Sequence, residues 1–121
     1  MLQTGDQCPR FVLEQLNGEP LSFDGEGALL VFFETDCPTC RLTIPYLNRL
    51  AKSNARIIGI SQDNEVATRE LAEQLPIEFP VVLDRDLNVS RAYDPVAVPT
   101  LFLVGDGKVL ATEIGFDKTS L

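Results

Sequence analysis

The chain has 121 residues, with 18 acidic and 10 basic side chains, a net charge of −8, 45% apolar residues and no histidine. This length and composition are typical of one globular domain that folds without a structural metal. The lack of histidine excludes Ser-His and Cys-His catalysis, and the acidic balance argues against a nucleic-acid partner, whose phosphates bind clustered Lys and Arg.

The first half of the chain predicts four strands. The Asn17-Gly18 pair is typical of a tight turn, so the apolar residues at 11–14 and 21–23 predict a small hairpin. A run of six apolar residues at 28–33 predicts a central strand covered on both faces, and 57–60 predict a second strand of this kind. With a helix between these last two strands, the chain forms a strand-helix-strand unit.

Two helices are predicted from apolar spacing and capping residues. The first begins just after Cys37-Pro38 and contains Pro45, which predicts a bend near Arg41. The second begins after the capping pair Asp63-Asn64 and ends before Pro76. The apolar positions that recur at spacings of three and four in the first helix are Leu42, Tyr46, Leu47, Leu50 and Ala51.

The second half of the chain predicts a buried strand, a weak helix and two further strands, at 79–83, 87–93, 100–104 and 108–112. Gly105-Asp106-Gly107 separates the last two strands and predicts an antiparallel hairpin. These elements together predict an α/β fold with a mixed sheet flanked by helices. A capping signal at 116–121 is followed by no helix, so we expect one sheet face to lack its last cover or the chain to be part of a longer one.

The residues that carry chemistry are Cys37-Pro38-Thr39-Cys40, at the junction of a buried strand and the amphipathic helix. A helix N-terminus stabilises a thiolate at Cys37, and the two-residue spacer puts Cys40 within one turn, where it can attack a mixed disulfide. The same spacing forms half of a zinc or iron–sulfur site, for which only Cys8 remains as a further thiol ligand. The strand-helix-strand context favours redox chemistry over metal binding.

Several motifs along the whole chain resemble the thioredoxin-fold superfamily. The cysteine pair with its flanks at 32–41, Pro45, and Val98-Pro99-Thr100 ahead of a strand are similar to motifs of that superfamily. The opening residues 5–13, the stretch 59–63 and the Asp106-Gly107-Lys108 turn are most similar to TlpA/ResA-type thiol-disulfide oxidoreductases and the neighbouring peroxiredoxins. The resemblance implies a single thioredoxin-like domain over 1–121, with a short N-terminal hairpin.

The resemblance also implies a reaction and its site. Cys37 would attack a protein or small-molecule disulfide, Cys40 would resolve the mixed disulfide, and a thiol partner would restore the pair. A cis peptide between Val98 and Pro99 would face the two cysteines, and Val98, Pro99 and Thr100 would bind an extended substrate. The family implies no cofactor and no metal for this reaction.

The chain departs from the family pattern around the first cysteine. Asp36 replaces the usual aromatic residue before Cys37, and Glu34 replaces a small neutral residue. These carboxylates either oppose thiolate formation at Cys37, against the effect of the helix N-terminus, or are solvated loop charges. Val31 and Thr43 stand where relatives carry an acidic residue, so Glu34 or a water would have to handle protons.

Other residues near the predicted site are expected to be structural. Arg41 is predicted to be an exposed first-turn residue, with contact to thiolates or an acidic partner as the alternative. Cys8 is predicted to be a buried, inert thiol rather than a third redox participant. Asp63 and Asp84 follow strand ends, where they would cap helices or turn the chain. The aromatic residues predicted to lie in the core are Phe32, Phe33, Phe79 and Phe102.

Two other functions remain open at the level of sequence. A peroxiredoxin-type peroxidase would carry a Thr three residues before its reactive cysteine, where this chain has Glu34 before Cys37 and Cys37 before Cys40. The second alternative is a non-enzymatic adaptor or metal-binding module, although copper chaperones of the related Sco type need a histidine, which this chain lacks. A peroxide-consumption assay and a search for bound metal would separate these functions from disulfide exchange.

The sequence predicts neither membrane insertion nor a leader. No apolar run approaches the about 20 residues that a bilayer span needs. As written, the chain is therefore expected in the cytoplasm, or in the periplasm or another extracytoplasmic location if a leader has been removed.

Overall fold

A seven-stranded mixed sheet and three helices make up residues 1–115, the part of the chain that the computed structural model describes. The strands are β1 (Phe11–Gln15), β2 (Pro20–Phe23), β3 (Ala28–Phe33), β4 (Ile57–Ser61), β5 (Val81–Leu83), β6 (Thr100–Gly105) and β7 (Lys108–Ile114). The helices are α1 (Pro38–Lys52), α2 (Glu65–Gln74) and α3 (Asn88–Tyr93). Each predicted strand and helix is present with similar bounds, and the capping signal at 116–121 lies outside the described residues.

The sheet topology brings the ends of β3 and β4 beside the start of β6. The strands lie in the order β2-β1-β5-β4-β3-β6-β7. β3, β4 and β5 are parallel, whereas β6 is antiparallel to β3, and the register pairs Phe32 with Thr100 and Phe33 with Ser61. The loops after β3 and β4 and the segment before β6 therefore meet at one edge of the sheet. This topology confirms the predicted mixed sheet with its N-terminal hairpin.

Two apolar clusters cover the two faces of the sheet, because successive side chains of a strand point to opposite faces. In β3, Leu30 and Phe32 belong to one cluster, and Val31 and Phe33 belong to the other. α3 contributes Tyr93 to the first cluster, whereas α1 and α2 pack on the second. The phenylalanines predicted to be core are all buried: Phe32, Phe33, Phe79 and Phe102.

Side-chain oxygens accept hydrogen bonds from the first turns of α2 and α3. The side chain of Asn64 accepts a hydrogen bond from the N–H of Ala67 at 2.8 Å, as expected of an N-cap. The carboxylate of Asp84 accepts a hydrogen bond from the N–H of Ser90 at 2.7 Å in the first turn of α3. The structural role predicted for Asp84 is therefore confirmed, whereas Asn64 alone of the predicted pair caps α2 and leaves Asp63 for another contact.

α1 buries most of the face that the sequence predicted, except in its first turn. Leu47 is buried, and Leu50 and Ala51 pack against the second apolar cluster. The buried side chains of α1 are Cys40, Thr43, Ile44 and Leu47. Leu42, which the prediction put on the apolar face, is 64% exposed, because the burial of Cys40 turns the opposite side of the first turn to solvent. The helix continues through Pro45, and the bend near Arg41 stays a prediction. None of the helices within residues 1–115 has the length and apolar character needed to span a bilayer.

Candidate active site

Cys37 is the N-cap of α1. Its backbone is extended, with φ −88° and ψ 114°, and its Sγ accepts a hydrogen bond from the N–H of Cys40 at 3.1 Å. Pro38 follows at the start of the helix, where a residue without an N–H sacrifices no intrahelical hydrogen bond. The sulfur therefore lies at the end of the helix where backbone N–H groups and the helix dipole favour negative charge. The predicted position of Cys37 is confirmed.

Cys40, in the first turn of α1, lies in an apolar environment. Both cysteines are free thiols, but Cys37 is half-buried, whereas only 2% of Cys40 is exposed. Burial raises the pKa of the Cys40 thiol well above its ordinary value, and the hydrogen bond between the two thiols raises it further. The pair is therefore asymmetric, with one sulfur within reach of a partner and one protonated and protected.

The segment before β6 faces this pair. The peptide bond between Val98 and Pro99 is cis, as predicted, and the Cys37 thiol donates to the carbonyl oxygen of Val98 at 3.6 Å. Val98 is half-buried, whereas Pro99 and Thr100 are buried, and the Thr100 hydroxyl donates to the carbonyl of Ala97. Of the three residues predicted to bind substrate, Val98 is thus the most exposed, and the Thr100 side chain bonds within the loop.

The two carboxylates before Cys37 have different surroundings. Asp36 is exposed, whereas Glu34 is half-buried and lines an open groove together with Gln62, Leu87 and Arg91. Glu34 has two opposing effects on Cys40: a hydrogen bond with its backbone lowers the pKa of the thiol, and its negative charge makes a smaller contribution that raises that pKa. Glu34 is therefore an electrostatic neighbour of the buried thiol, whereas the sequence had suggested an effect on Cys37.

Sequence reasoning missed a set of polar contacts that hold the loop before Cys37. The N–H and the hydroxyl of Thr35 both donate to Oδ2 of Asp63, at 2.6 and 2.8 Å. The Nε of Arg41 donates to the carbonyl of Thr35 at 3.0 Å. Asp63 is therefore not a helix cap, and Arg41 is neither fully exposed nor directed at the sulfurs. The available signal was Asp63 just beyond the end of β4, at the same sheet edge as the end of β3.

Cys8 lies away from the other two cysteines. It is 6% exposed and belongs to the apolar cluster on the opposite face of the sheet from Cys40. Burial raises the pKa of its thiol. These observations agree with the predicted buried thiol. Among residues 1–115, there is no group of three or more Cys, Asp or Glu side chains that could hold a metal ion.

Comparisons with known proteins agree with a redox site of this kind. The family model described as AhpC/TSA matches residues 4–112. The thiol-disulfide oxidoreductase ResA of Bacillus subtilis (strain 168) is 32% identical over 123 residues, which cover 94% of this chain and 69% of that protein. A solved structure described as a thiol:disulfide interchange protein DsbE from Chlorobium tepidum has a TM-score of 0.88 at 27% identity, with 99% and 91% of the two chains covered.

A peroxidase relative shares the fold as well. Peroxidoxin BcpB from Mycobacterium tuberculosis has a TM-score of 0.83 to this chain, at 22% identity and with 99% of this chain and 91% of that chain covered. At this level of identity the likeness shows the common fold. It carries no information about whether this chain reacts with peroxide.

Proposed function

The chain belongs to the AhpC/TSA family and is a thiol-disulfide oxidoreductase with the thioredoxin fold, and we propose that it works as one domain in which Cys37 attacks and Cys40 resolves. The observation that carries this assignment of roles is the asymmetry of the pair. Cys37 Sγ is within reach of a partner at a helix N-terminus, whereas Cys40 is buried. A nucleophile must meet its substrate, and a resolving thiol needs only to reach its neighbour.

The exchange proceeds in two displacement steps. The Cys37 thiolate attacks one sulfur of a substrate disulfide, the substrate S–S bond breaks, and the departing sulfur takes up a proton from solvent. Cys40 then loses its proton and attacks the Cys37 sulfur of the mixed disulfide, which releases the second substrate thiol. The substrate gains two electrons and the protein is left with a Cys37–Cys40 disulfide, which a dithiol partner reduces by the same steps in reverse.

The substrates we propose are disulfides in extended protein segments, and also small-molecule disulfides. The cis peptide before Pro99 and the half-buried Val98 lie beside Cys37, and a backbone next to the nucleophile can pair with an extended chain without requiring a particular side chain. This arrangement supports broad selectivity. The partner that regenerates the pair would be a thiol protein or a small thiol.

We further propose that the protein acts as a reductase. Strong oxidants of this fold stabilise their reduced form, chiefly its thiolate. Asp36 and Glu34 add negative charge beside the pair and work against such stabilisation. We therefore expect a reduction potential closer to the about −270 mV of thioredoxin than to the about −120 mV of DsbA, and equilibration with glutathione or dithiothreitol buffers measures it.

The roles of the two cysteines are tested with 5,5′-dithiobis(2-nitrobenzoic acid), a small aromatic disulfide. The reduced Cys8→Ser variant should release about two equivalents of the aromatic thiol and end unlabelled, because Cys40 resolves the adduct. Adding Cys40→Ser should leave a stable label on Cys37, and adding Cys37→Ser instead should remove the fast reaction. A fast label on Cys40, detected by peptide mass spectrometry, would contradict the assignment.

The two alternative functions receive no support of their own. Glu34 and Cys37 still stand where a peroxidase of the related class would carry its threonine. The relatives named as thiol-disulfide oxidoreductases are enzymes, which argues against a non-enzymatic adaptor. Slow consumption of hydrogen peroxide by the reduced protein, measured beside fast reduction of the aromatic disulfide, is the outcome we expect.

For the compartment, we propose an extracytoplasmic location. Disulfides form and persist in oxidising compartments, where a disulfide reductase finds its substrates. Fractionation of cells that express the full-length protein, followed by trapping of free thiols with a maleimide, measures both its location and the redox state of Cys37 and Cys40. Recovery of the protein only in the cytoplasm would contradict this proposal.

A further inference from the structure

Thr35, two residues before Cys37, has each of its polar groups held by a charged side chain. Its N–H and hydroxyl donate to Oδ2 of Asp63, at 2.6 and 2.8 Å, and its carbonyl accepts from Nε of Arg41 at 3.0 Å. Thr35 itself is 8% exposed. An anion on the N–H and a cation on the carbonyl of one residue form charge-assisted hydrogen bonds, which are stronger than neutral ones.

Asp63 and Arg41 make further hydrogen bonds to residues of β4 and α2. The backbone N–H of Asp63 donates to the hydroxyl of Ser61 at 3.2 Å, and that hydroxyl lies 2.8 Å from the hydroxyl of Thr68 in α2. At the other end of α2, Gln74 accepts from Nη1 of Arg41 at 2.9 Å. The loop before Cys37 is therefore tied to both ends of one helix, through residues that are far away in the sequence.

We propose that Asp63 and Arg41 are positioning residues, which set the place of the Cys37 sulfur by holding Thr35 between them. This inference rests on the proposed role of Cys37 as the attacking thiol. Cys37 has a specific geometry to keep, because its sulfur accepts from the N–H of Cys40 at 3.1 Å and meets the carbonyl of Val98 at 3.6 Å. A displacement of about 1 Å at a reacting atom can cost about 100-fold in rate.

For Asp63, the direct electrostatic effect would have the opposite sign to the positioning effect. A carboxylate near Cys37 disfavours a thiolate, so loss of the Asp63 charge alone should raise the rate at which Cys37 attacks a disulfide. Loss of the Asp63 contacts should lower that rate, because Thr35 and the residues after it are released. The direction of the change in the Cys37 rate constant therefore separates a positioning role of Asp63 from a direct electrostatic one.

The experiment measures the second-order rate constant of Cys37 with the anionic disulfide 5,5′-dithiobis(2-nitrobenzoic acid), in full-length protein that carries Cys8→Ser and Cys40→Ser. We expect Asp63→Ala to lower the rate constant about tenfold, although removal of an anion favours reaction with an anionic reagent. Asp63→Asn keeps an acceptor oxygen for Thr35 and should stay within about twofold of the parent. Arg41→Lys keeps the charge but loses the planar fork, and should lower the rate constant about threefold.

The matched control is Asn48→Ala, which also removes two side-chain hydrogen bonds to the backbone. Asn48 in α1 accepts from the N–H of Glu78 and donates to the carbonyl of Pro76, each at 2.8 Å. It should lower the free energy of unfolding while leaving the rate constant unchanged. This control separates positioning of Cys37 from a general loss of stability.

Each outcome bears on a specific claim. If Asp63→Ala and Arg41→Lys both react at the parent rate or faster, the positioning role is wrong and the function of Cys37 is untouched. If Asp63→Ala is too unstable to assay, the comparison of Arg41→Lys and Asp63→Asn with the parent decides in the same way. If Cys37, the only cysteine left in the parent protein, does not react rapidly with the reagent, the proposed function fails instead.

Discussion

At the scale of single residues, burial divides the ionisable groups of this protein into two kinds. Glu65 is half-exposed and paired with Arg85 and Arg69, and hydrogen bonds from these cations lower the pKa of its carboxyl. Cys40 and Tyr93 are buried, and loss of water raises the pKa of each, because burial disfavours the charged form of an acid. The buried acids should therefore govern the response of the folded protein to alkali.

We predict that the reduced protein loses stability as the pH rises above about 9. In the unfolded chain the Cys40 thiol ionises near its ordinary pKa of 9.0, whereas in the folded protein its pKa is raised and the proton stays bound. Above that pH the unfolded state binds fewer protons, so the free energy of unfolding falls with pH, and the contribution is fully present only below it. Urea unfolding between about pH 7 and pH 10.5 measures the slope.

The oxidised protein provides the comparison for this prediction. A Cys37–Cys40 disulfide has no thiol to titrate, so the decrease between neutral and alkaline pH should be smaller than in the reduced form. Cys40→Ser should reduce the slope of the reduced protein in the same direction. Equal slopes in the reduced protein, the oxidised protein and the variant would show that Cys40 is not the group responsible.

Residues that act through side-chain contacts across the fold were the hardest to predict. The position of Cys37 could be predicted, because Cys37 and Cys40 are neighbours in sequence and a helix start is a local pattern. The role of Asp63 could not be predicted in the same way, since its contact with Thr35 spans 28 residues and depends on how β3 and β4 align. The capping pair Asp63-Asn64 correctly predicted the start of a helix. The pattern did not show that Asn64 alone caps the helix and that Asp63 contacts Thr35 instead.

At the scale of helices and strands, capping residues and apolar runs in the sequence predicted most of the fold. α2 begins where Asn64 accepts from the N–H of Ala67, and β3 begins and ends where the apolar run does. The orientation of α1 about its own axis was only partly predictable from apolar spacing. The apolar spacing was correct for Leu47, Leu50 and Ala51, which lie on the core side of the helix. It failed in the first turn, where Leu42 is exposed and Cys40 is buried.

We predict that Asn64→Ala lowers the free energy of unfolding by about 1 kcal/mol, since it leaves the N–H of Ala67 without its acceptor. Asn64→Asp should keep the cap and add a favourable charge at the helix N-terminus, so its stability should equal or exceed that of the parent. Urea unfolding of the reduced proteins at neutral pH measures both. An equal loss of unfolding free energy in the two variants would show that the lost hydrogen bond is not the cause of the destabilisation in Asn64→Ala.

At the scale of the whole molecule, the sheet separates two apolar clusters, and the cluster on the α1 side contains Cys40. Cys40 packs in that cluster with Val31, Phe33 and Phe79. The cavity that remains beside Cys40 is only about 10 Å³, at the lower limit of the space that one water molecule needs. Changes in packing on this face of the sheet therefore act directly on the environment of the buried thiol.

Gly59, in the middle of β4, shows how tightly this face is packed. It is paired with Val31 on one side and Val81 on the other. A Cβ at position 59 would lie 3.0 Å from Cε1 of Phe79 and 3.2 Å from Cε1 of Phe33. Both contacts are shorter than carbon atoms normally allow, and the small cavity offers the rings little space to move into.

We predict that Gly59→Ala destabilises the protein by about 1–3 kcal/mol, as overpacking of a close-packed core does. This cost must exceed the about 0.4–1 kcal/mol by which a glycine-to-alanine change ordinarily stabilises a chain through its unfolded state. Gly27→Ala is the matched control, because a Cβ there would meet no atom within 4 Å and its backbone is not in the left-handed region. Urea unfolding should therefore give opposite signs for the two variants, and a stabilised Gly59→Ala would mean that the Phe33 and Phe79 rings move aside more easily than their packing indicates.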